Sequence, residues 1–387
     1  VDYAHQMNDA YNCSLSATQT RLNYCCGVQR SGHAPLIMGY LMQRNTWKSY
    51  WSQEWYTDVL SNKHYRCPLG KFRVAFCDEP QFSQISMFLR GREWLDEKEK
   101  LLEVASGLYM PETYLVRGNK FVLPDHGDNN PTGLGPWFLK EANKNGGRAI
   151  EVCGEASHCF NLTEPTETYV LQRHINDPWL TLDGRKCHFK VYSLLFNKDQ
   201  RWRLYVCKDS YISMSDNSWS PADLSKETQV TVLRHKKLLI ENDHIEEMGS
   251  DFSWKETHKK SKGAVSELVF KAIQQQKIQE RDGAPQFEIF SADVILERTS
   301  GKLYVIEFNF SPVLYDPHHV KNITTRGLQA YHEEYERLGD DAPVNDSNMI
   351  RDAVSIVFDG KEKLSSTRWD LVKDLTLEKK LKKNYKY

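Results

Sequence analysis

Two apolar runs near residue 300 are separated by a short polar turn, and together they predict a β-hairpin. Residues 287–296 and 303–309 are rich in Val, Ile, Phe and Tyr. Between them, Thr299-Ser300-Gly301 supplies a glycine for the left-handed position of a short hairpin loop. The run nevertheless contains acidic residues, and acids inside an apolar strand usually need a partner.

The register of this hairpin decides where those acids meet. If Ser300 is the centre of the turn, Asp293 faces Glu307 with Cβ atoms roughly 5 Å apart, and Asn309 shares the face of Glu307. Two carboxylates and a carboxamide suit a hard, oxygen-seeking cation such as Mg²⁺. A partly solvated acid pair at a sheet edge, or one acid bound to a lysine, would give the same pattern. The apolar flanks favour the metal site.

Other patterns predict the remaining elements. Apolar positions at helical spacing from Val265 to Ile273 predict an amphipathic helix that ends by residues 280–283. Residues 123–135 are rich in Gly and Pro and are expected to form a connector or mobile segment. Strands are expected at residues 136–140, 149–152, 168–172, 187–196 and 203–207, and helices at 93–105 (exposed), 325–338 and 349–358.

Composition narrows the class of protein. A chain of 387 residues with 40% hydrophobic residues can form two or three packed lobes. With 51 Lys and Arg against 52 Asp and Glu, the net charge of −1 gives no general attraction to nucleic acid or to an anionic membrane. No run approaches the roughly 18 apolar residues of a membrane span. The start at Val1 shows neither a basic region nor an apolar core, and a leader could have been removed before it.

The cysteines and the possible glycosylation sequons indicate the cellular compartment in which the protein is found. The nine cysteines are an odd number without a CxxC pair, and we expect them to be mostly reduced. Asn-x-Ser/Thr sequons, among them those at Asn12, Asn161, Asn322 and Asn345, are compatible with secretion, but so short a pattern also arises by chance. A cytoplasmic location is the expectation, and the basic residues 379–383 are interpreted as a solvated tail.

A strand, a basic loop and a second strand form a candidate phosphate-binding unit. Trp137-Phe138-Leu139-Lys140 ends in a lysine, and residues 143–148 are rich in Asn, Lys and Gly before the apolar Ala149-Ile150. Glycines allow backbone amides to approach phosphate oxygens, and cations neutralise them. An ordinary soluble hairpin tip would have the same composition.

Two further strands complete the candidate site. Residues 169–175 read as a buried strand with a polar edge that suits recognition of adenine, with Gln172 as the side-chain reader. In the following strand Lys186, His188 and Lys190 alternate with apolar residues and therefore share one face. An exposed sheet face explains that alternation equally well.

In order and spacing, these motifs resemble the tubulin tyrosine ligase-like family of the ATP-grasp superfamily. The resemblance covers residues 111–315, and the ordered set is far more specific than any single motif. The matching segments are Pro111-Glu112-Thr113-Tyr114, residues 137–140 with 147–150, 169–175, 184–192, 287–296 and 307–312.

The resemblance implies an α+β, ATP-grasp fold with the nucleotide held between two α+β lobes, and an N-terminal mixed α/β lobe before them. The implied divisions are residues 1–110 for the N-terminal lobe, 111–205 and 206–320 for the two ATP-grasp lobes, and 321–387 for a helical segment packed on the ligase core. The metal site belongs to the second of the two ATP-grasp lobes.

Site roles are likewise implied by the resemblance. Lys140 and Lys186 would contact ATP phosphates, and Arg148 and Lys190 would neutralise charge that develops during transfer. Asp293, Glu307 and Asn309 would bind Mg²⁺. The implied nucleotide contacts around the adenine and ribose are Gln172, Arg173, His174, Ile175 and His188.

The chain departs from the family pattern at several of these positions. His174 replaces a usual Tyr, His188 a usual Asp, Lys190 a usual Arg and Ala149 a usual Gly. The family's Arg-Phe pair after the next strand is Ser213-Met214 here, and its T-N-x-x-x-x-K segment is blurred at residues 231–234. Use of ATP survives this comparison better than the identity of the substrates.

The implied activity is an ATP- and Mg²⁺-dependent carboxylate–amine ligase that works through an acylphosphate. The implied partners are ATP, an amino acid such as Tyr, Glu or Gly, and a protein tail of the tubulin type, and association with microtubules is compatible with them. Two alternatives remain open: an ATP-grasp ligase of small amino acids or amines, and an inactive ligase-like binding module. No nucleic-acid partner is expected.

Overall fold

Strands dominate the part of the chain that the computed structural model describes. That part comprises residues 89–105, 107–123, 133–142, 149–231, 247–281, 285–310, 347–359 and 368–376, with a few shorter segments elsewhere. The strands of the N-terminal half are β1 (Leu22–Cys25), β2 (Trp47–Tyr50), β3 (Val74–Ala75), β4 (Ile85–Ser86), β5 (Thr113–Arg117), β6 (Lys120–Leu123), β7 (Leu134–Glu141), β8 (Ile150–Glu155) and β9 (Thr168–Arg173).

The later strands include the longest of the chain. They are β10 (Arg185–Lys198), β11 (Arg201–Ser218), β12 (Arg234–Lys237), β13 (Ile240–Glu241), β14 (His244–Ile245), β15 (Gln286–Leu296), β16 (Leu303–Phe310) and β17 (Trp369–Thr376). The helices are α1 (Glu93–Asp96), α2 (Lys98–Ala105), α3 (Ala156–Phe160), α4 (Lys226–Gln229), α5 (Trp254–Gln274) and α6 (Ser347–Asp359).

Five of these strands form a small antiparallel sheet in the order β6-β5-β9-β7-β8. Its core contains Trp137, Leu139 and Leu171, and helix α3 adds Ala156 and Cys159 to it. Strand β9 lies at the centre and β7 beside it, so Gln172 and Lys140 are held by strands on both sides.

The larger sheet is built around β10, β11, β15 and β16. Strand β10 pairs antiparallel with both β11 and β15, and β15 pairs with β16. Helix α5 packs on one face, where Val265 and Leu268 join a core with Phe290, Ala292 and Val294. The sheet continues through β4 to β2 on one side, and β12 and β17 both pair with β11.

The predicted register of the hairpin is confirmed at Asp293 and Glu307, although the loop and the strand pairing beside it differ from the prediction. Asp293 faces Glu307 as expected, but the loop is one residue shorter than assumed, since the Glu297 amide donates to the Lys302 carbonyl at 2.8 Å. A β-bulge restores the pairing: Val294 faces Val305, which leaves Ile306 as an extra residue on β16. Gly301 has φ +64, the left-handed conformation predicted for the turn.

The predicted helices are confirmed in part. The helix around residues 265–273 begins earlier, at Trp254, because the Ser253 hydroxyl caps it by accepting the Glu256 amide at 3.2 Å. The helix predicted at 93–105 is interrupted at Glu97 and buries one face, including Leu101 and Val104, so it is not an exposed helix.

At the C-terminal end, helix α6 covers the predicted residues 349–358. The same segment also contributes strand β17, which pairs with β11, so it is not purely helical. Residues 325–338 and the basic tail lie outside the described residues. Among the helices described, none has the length and hydropathy needed to cross a membrane.

The expectation of reduced cysteines needs a correction. Cys153 on β8 and Cys159 on α3 form a disulfide, with Cα atoms 5.6 Å apart, whereas Cys187 and Cys207 are buried free thiols. The spacing of six residues resembles no known cysteine motif, and pairing cannot be deduced from sequence alone. The other cysteine side chains lie outside the described part.

Candidate active site

A cleft of about 810 Å³, its open mouth included, lies between the two sheets. Strands β7 and β9 line one side, and β10, β15 and β16 line the other. The predicted site residues that line it are Lys140, Gln172, Arg173, His174, Ile175, Lys186, His188, Asp293 and Glu307. The fold therefore gathers into one cavity residues that are 167 positions apart in the chain, from Lys140 to Glu307.

Lys140 is buried at the cleft end of β7, where a chain of hydrogen bonds fixes its position. Its Nζ donates to Gln172 Oε1 at 2.8 Å, Gln172 Nε2 donates to Thr113 Oγ1 at 3.0 Å, and that hydroxyl donates to the Pro111 carbonyl at 2.7 Å. Burial lowers the pKa of Lys140 to about 8, with nearby Lys98 adding to the effect and Glu307 opposing it. Among the described residues Lys140 has a neutral hydrogen-bond acceptor and no ion-pair partner.

The Gln172 side chain already has partners within the protein. Its backbone lies in the central strand of the small sheet, and both ends of its carboxamide are bonded, to Lys140 and to Thr113. The side chain orients a lysine, and its predicted contact with adenine stays a prediction.

Lys186 lies across the cleft on β10 and is also buried. Its Nζ is 4.5 Å from the centroid of the Phe138 ring, and no carboxylate in the described part of the chain forms an ion pair with it. Burial, with the charge of Lys140 as a second cause, lowers the pKa of Lys186 to about 7. We call Lys140 and Lys186 the lysine pair.

The three predicted metal ligands, Asp293, Glu307 and Asn309, lie together and are called the acidic cluster. Asn309 Nδ2 is 3.3 Å from Asp293 Oδ2 and 3.4 Å from Glu307 Oε1. Lys190 donates to Asp293 Oδ1 at 2.6 Å, and His188 Nε2 is 3.4 Å from Asp293 Oδ2. Burial alone would raise the pKa of Asp293, but Lys190 and His188 hold it well below its usual range.

This arrangement changes two sequence interpretations. Lys190, expected to neutralise charge during transfer, is paired with a predicted metal ligand. His188 is held on its other side, where Nδ1 lies 2.6 Å from Thr231 Oγ1. The sequence left two alternatives open, an acid bound to a lysine and a group of metal ligands. The structure has features of both, because Asp293 pairs with Lys190 and also lies beside Glu307 and Asn309.

The chemistry of the acidic cluster fits Mg²⁺. Among the described residues no group of three His, Cys, Asp or Glu side chains could hold a metal ion. The cluster offers two carboxylates and the oxygen of a carboxamide, and Mg²⁺ in nucleotide sites commonly takes one or two carboxylates and completes its shell with water and phosphate oxygens. Asp293 and Glu307 would hold the ion. Asn309 would be the third oxygen donor after a flip of its side-chain amide that exchanges Nδ2 and Oδ1.

The strand end beyond Gln172 forms the remaining wall. Arg173 is held by Glu112, with Nη1 to Oε2 at 3.0 Å. His174 is neutral, because burial and the nearby charges of Lys186 and Arg173 lower its pKa to about 4. Its Nδ1 is buried without a hydrogen-bond partner among the described residues, and the adjacent Ile175 is buried. A neutral ring beside an apolar side chain suits a heterocyclic base.

Lys98 is a cleft residue that the sequence reasoning missed. It begins α2, and its Nζ lies 3.9 Å from Glu307 Oε2. In sequence it belongs to the charged run Asp96-Glu97-Lys98-Glu99-Lys100, which is typical of a solvated helix face. Arg148 and the loop at residues 143–147 lie outside the described residues, so their predicted contacts stay predictions.

Comparison with protein families places the chain. The tubulin-tyrosine ligase family model matches residues 96–329, which is more than half of the 387 residues, and the chain belongs to this family. The match begins at Asp96, next to Lys98, and extends past the acidic cluster. No curated protein gives a significant match.

Family membership confirms the predicted fold class, because the family is ATP-grasp and the described elements are α+β with mostly strands. In general its members are ATP-grasp-type carboxylate–amine ligases that normally use ATP and Mg²⁺. The predicted family resemblance is thereby confirmed.

Proposed function

We propose that this protein is an ATP- and Mg²⁺-dependent ligase that joins the carboxylate of one substrate to the amine of another. The observation that carries the proposal is that one cleft holds both the lysine pair and the acidic cluster. Two buried lysines without an ion-pair partner among the described residues lie beside two carboxylates and a carboxamide. A metal–polyphosphate complex has complementary needs: anionic oxygens for the lysines and a cation for the acids.

The lysine pair supports the phosphate part of the proposal. Burying a cation without an anionic partner is unfavourable, and here it lowers the pKa of both lysines. Phosphate oxygens would restore the charged form of each lysine and make charge-assisted hydrogen bonds. Because Gln172 holds Lys140 in place, the cation needs little rearrangement to meet the phosphate.

The reaction then has two steps. A carboxylate oxygen attacks the γ-phosphorus, the bond to the bridging oxygen breaks, and ADP leaves. The amine nitrogen attacks the acyl carbon of the acylphosphate, inorganic phosphate leaves, and the nitrogen loses a proton as the amide forms. Bound Mg²⁺ supplies charge stabilisation to the phosphates, so Lys140 and Lys186 need only neutralise what remains.

We propose an amino acid and a protein tail as the substrates, in keeping with the family. A specific observation supports a second candidate, a ligase of small molecules. Ser213, at a position where the family has a cation, is buried and faces His188 in the register, and Met214 packs against the core of the larger sheet. Neither residue supplies the charge that the family's Arg would offer to an acidic protein tail, although the adjacent strand β12, Arg234–Lys237, is basic in sequence.

The inactive binding module is the third candidate, and the Lys190–Asp293 ion pair is the observation in its favour. At 2.6 Å, Lys190 already occupies an oxygen that a metal ion would use. The lysine pair supports nucleotide binding, which a ligase and a binding module would share. Turnover of the bound nucleotide therefore separates the two candidates.

An ADP-release assay on the full chain tests these possibilities. The protein is given ATP, Mg²⁺ and each amino acid, together with either acidic peptides or small amines, and products are weighed by mass spectrometry. We expect ADP release that needs both substrates and is lost in Lys140→Met but kept in Lys226→Met, whose lysine is partly exposed, lies outside the cleft and pairs with Glu151. ATP binding without ADP release from any pair would overturn the ligase and leave the binding module.

A further inference from the structure

The small sheet carries a pair of features that the cleft does not use. A disulfide joins Cys153 on β8 to Cys159 on α3, and the sequon Asn161-Leu162-Thr163 follows directly. Asn-x-Thr is the acceptor pattern for N-linked glycans, and acceptors lie on exposed surface turns. Either feature alone would be weak, but they come from independent properties of the chain.

Asn161 meets the structural requirement for an acceptor. It ends helix α3 and is exposed, and the next residue, Leu162, is 53% exposed. Its carboxamide makes no hydrogen bond to any described residue, so Nδ2 is free to react. Thr163 is fixed nearby, with its hydroxyl 2.8 Å from the Phe160 carbonyl. None of these residues lines the cleft, so a glycan here would leave the cleft open.

The disulfide indicates the environment in which such a reaction takes place. Disulfides persist in oxidising compartments and are rare in the cytosol. Cys153 and Cys159 belong to the core of the small sheet and are buried, so they are shielded from reductants once the sheet has formed. The compartment that forms structural disulfides in eukaryotic cells is also the one that attaches N-linked glycans.

We propose that Asn161 is an N-glycosylation site and that the chain matures in an oxidising compartment of the secretory pathway. Asn161 Nδ2 attacks the anomeric carbon of a lipid diphosphate-linked oligosaccharide. The C–N bond forms, the C–O bond to the diphosphate breaks, and the lipid diphosphate leaves with the proton from Nδ2. The Cys153 and Cys159 thiols pass two electrons and two protons to a protein disulfide, which becomes a dithiol.

This inference does not depend on the ligase reaction. It replaces the expected cytoplasmic location and has a consequence for the acceptor, which would be a molecule of the same compartment rather than a microtubule.

One tryptic peptide reports on both features, because residues 149–173 contain no internal Lys or Arg and include Cys153, Cys159 and Asn161. The full-length protein is expressed in eukaryotic cells, alkylated under denaturing conditions without reductant, digested, and treated with N-glycosidase in heavy-oxygen water. We expect the peptide to carry a disulfide without alkyl groups and a heavy-oxygen aspartate at position 161.

Matched variants complete the test. Thr163→Ser keeps the sequon and should keep the label, whereas Thr163→Ala and Asn161→Gln should lose it with the disulfide unchanged. A wild-type peptide with two alkylated thiols and no label would overturn the proposal. A disulfide-bonded but unlabelled peptide would overturn the glycosylation site.

Discussion

The lysine pair and Asp293 of the acidic cluster are all buried in the same cleft, yet their charges are balanced in different ways. Asp293 has Lys190 within 2.6 Å, and its pKa stays low in spite of burial. Lys140 and Lys186 have a neutral amide and an aromatic ring as neighbours, and their pKa values fall to about 8 and 7. Within the part of the chain that the structure describes, Asp293 has a cationic partner, whereas the lysine pair gains an anionic partner only when a ligand binds.

Glu288 shows that pairing, rather than burial alone, sets this difference. It lies on β15 as Asp293 does and is as deeply buried. Arg92 donates to it at 2.7 Å and the Leu89 amide at 3.0 Å, yet burial still raises its pKa to about 7. The Arg92 side chain is 26% exposed, whereas those of Lys190 and His188 are 13% and 4% exposed, and a less exposed cation is screened less.

The largest expected effect is on the acidic cluster. Asp293→Asn and Glu307→Gln should each lower turnover by about 10²-fold or more, since each removes a charge that the ion requires. Their stabilities should differ. Asp293→Asn leaves the partly buried Lys190 without its anion and should cost about 1.5–3 kcal/mol, whereas replacement of Glu307, whose nearest cation is Lys98 at 3.9 Å, should cost little.

ADP release and thermal melts without metal measure the two effects, with Asp199→Asn in the exposed β10–β11 turn as the control. The stability difference follows from the 2.6 Å ion pair that Asp293 forms with Lys190. A Glu307→Gln variant with normal turnover would remove the metal assignment.

Next in size is nucleotide affinity. Lys140→Met should weaken ATP binding by about 1.5–3 kcal/mol through loss of a charge-assisted contact, while the nucleotide-free protein melts no lower because a buried cation is gone. Calorimetry of Lys140→Met beside Lys226→Met measures the loss. Equal affinity in both variants would exclude Lys140 from the phosphate site.

A smaller effect is the pH dependence of the lysine pair. Folded Lys186 and Lys140 have pKa values of about 7 and 8, below the unfolded value of 10.5, so between those values the unfolded state binds more protons. Stability of the nucleotide-free protein should therefore rise as pH increases from about 7 to 10. ATP should reverse the shift, and its binding near pH 8 should take up protons.

Calorimetry in buffers of different ionisation enthalpy measures that uptake, which should be reduced in Lys186→Met. Binding without any change in protonation, in wild type, would mean that the lysines are already charged and paired.

The smallest effect concerns Glu288. Because its folded pKa of about 7 lies above the ordinary 4.5, the folded state binds more protons between these values, and its contribution to stability is lost as pH rises through this window. Glu288→Gln should flatten that part of the melting-temperature profile while leaving turnover intact, provided that Arg92 stays solvated. An unchanged slope would show that Arg92 already keeps Glu288 ionised.

Local pattern predicted much of the site. The alternation of apolar residues and the turn glycine predicted the β15–β16 hairpin, because a strand has a fixed side-chain period, whereas the facing of Asp293 and Glu307 also depends on the bulge at Ile306. Periodicity likewise gave the buried face of α5, including Val265 and Leu268. These are short-range properties that a sequence states directly.

Contacts between distant segments could not be predicted in this way. Nothing in a charged run shows that Lys98 reaches Glu307, and the partners of Gln172 depend on which strands flank β9. The cysteine pairing depends on where α3 packs against β8. Each of these follows from tertiary packing, which local propensity does not determine.

The extra residue on β16, Ile306, shows how a change in strand length can alter the lining of the cleft during evolution. In a regular strand two successive residues point to opposite faces, but Ile306 and Glu307 both line the cleft because the bulge intervenes. One inserted codon thus gives the cavity an apolar wall and an acid from adjacent positions. Because Val305 faces Val294, deletion of Ile306 would leave Glu307 opposite Asp293 in regular pairing, so the cavity would keep its acid and lose only the apolar side chain.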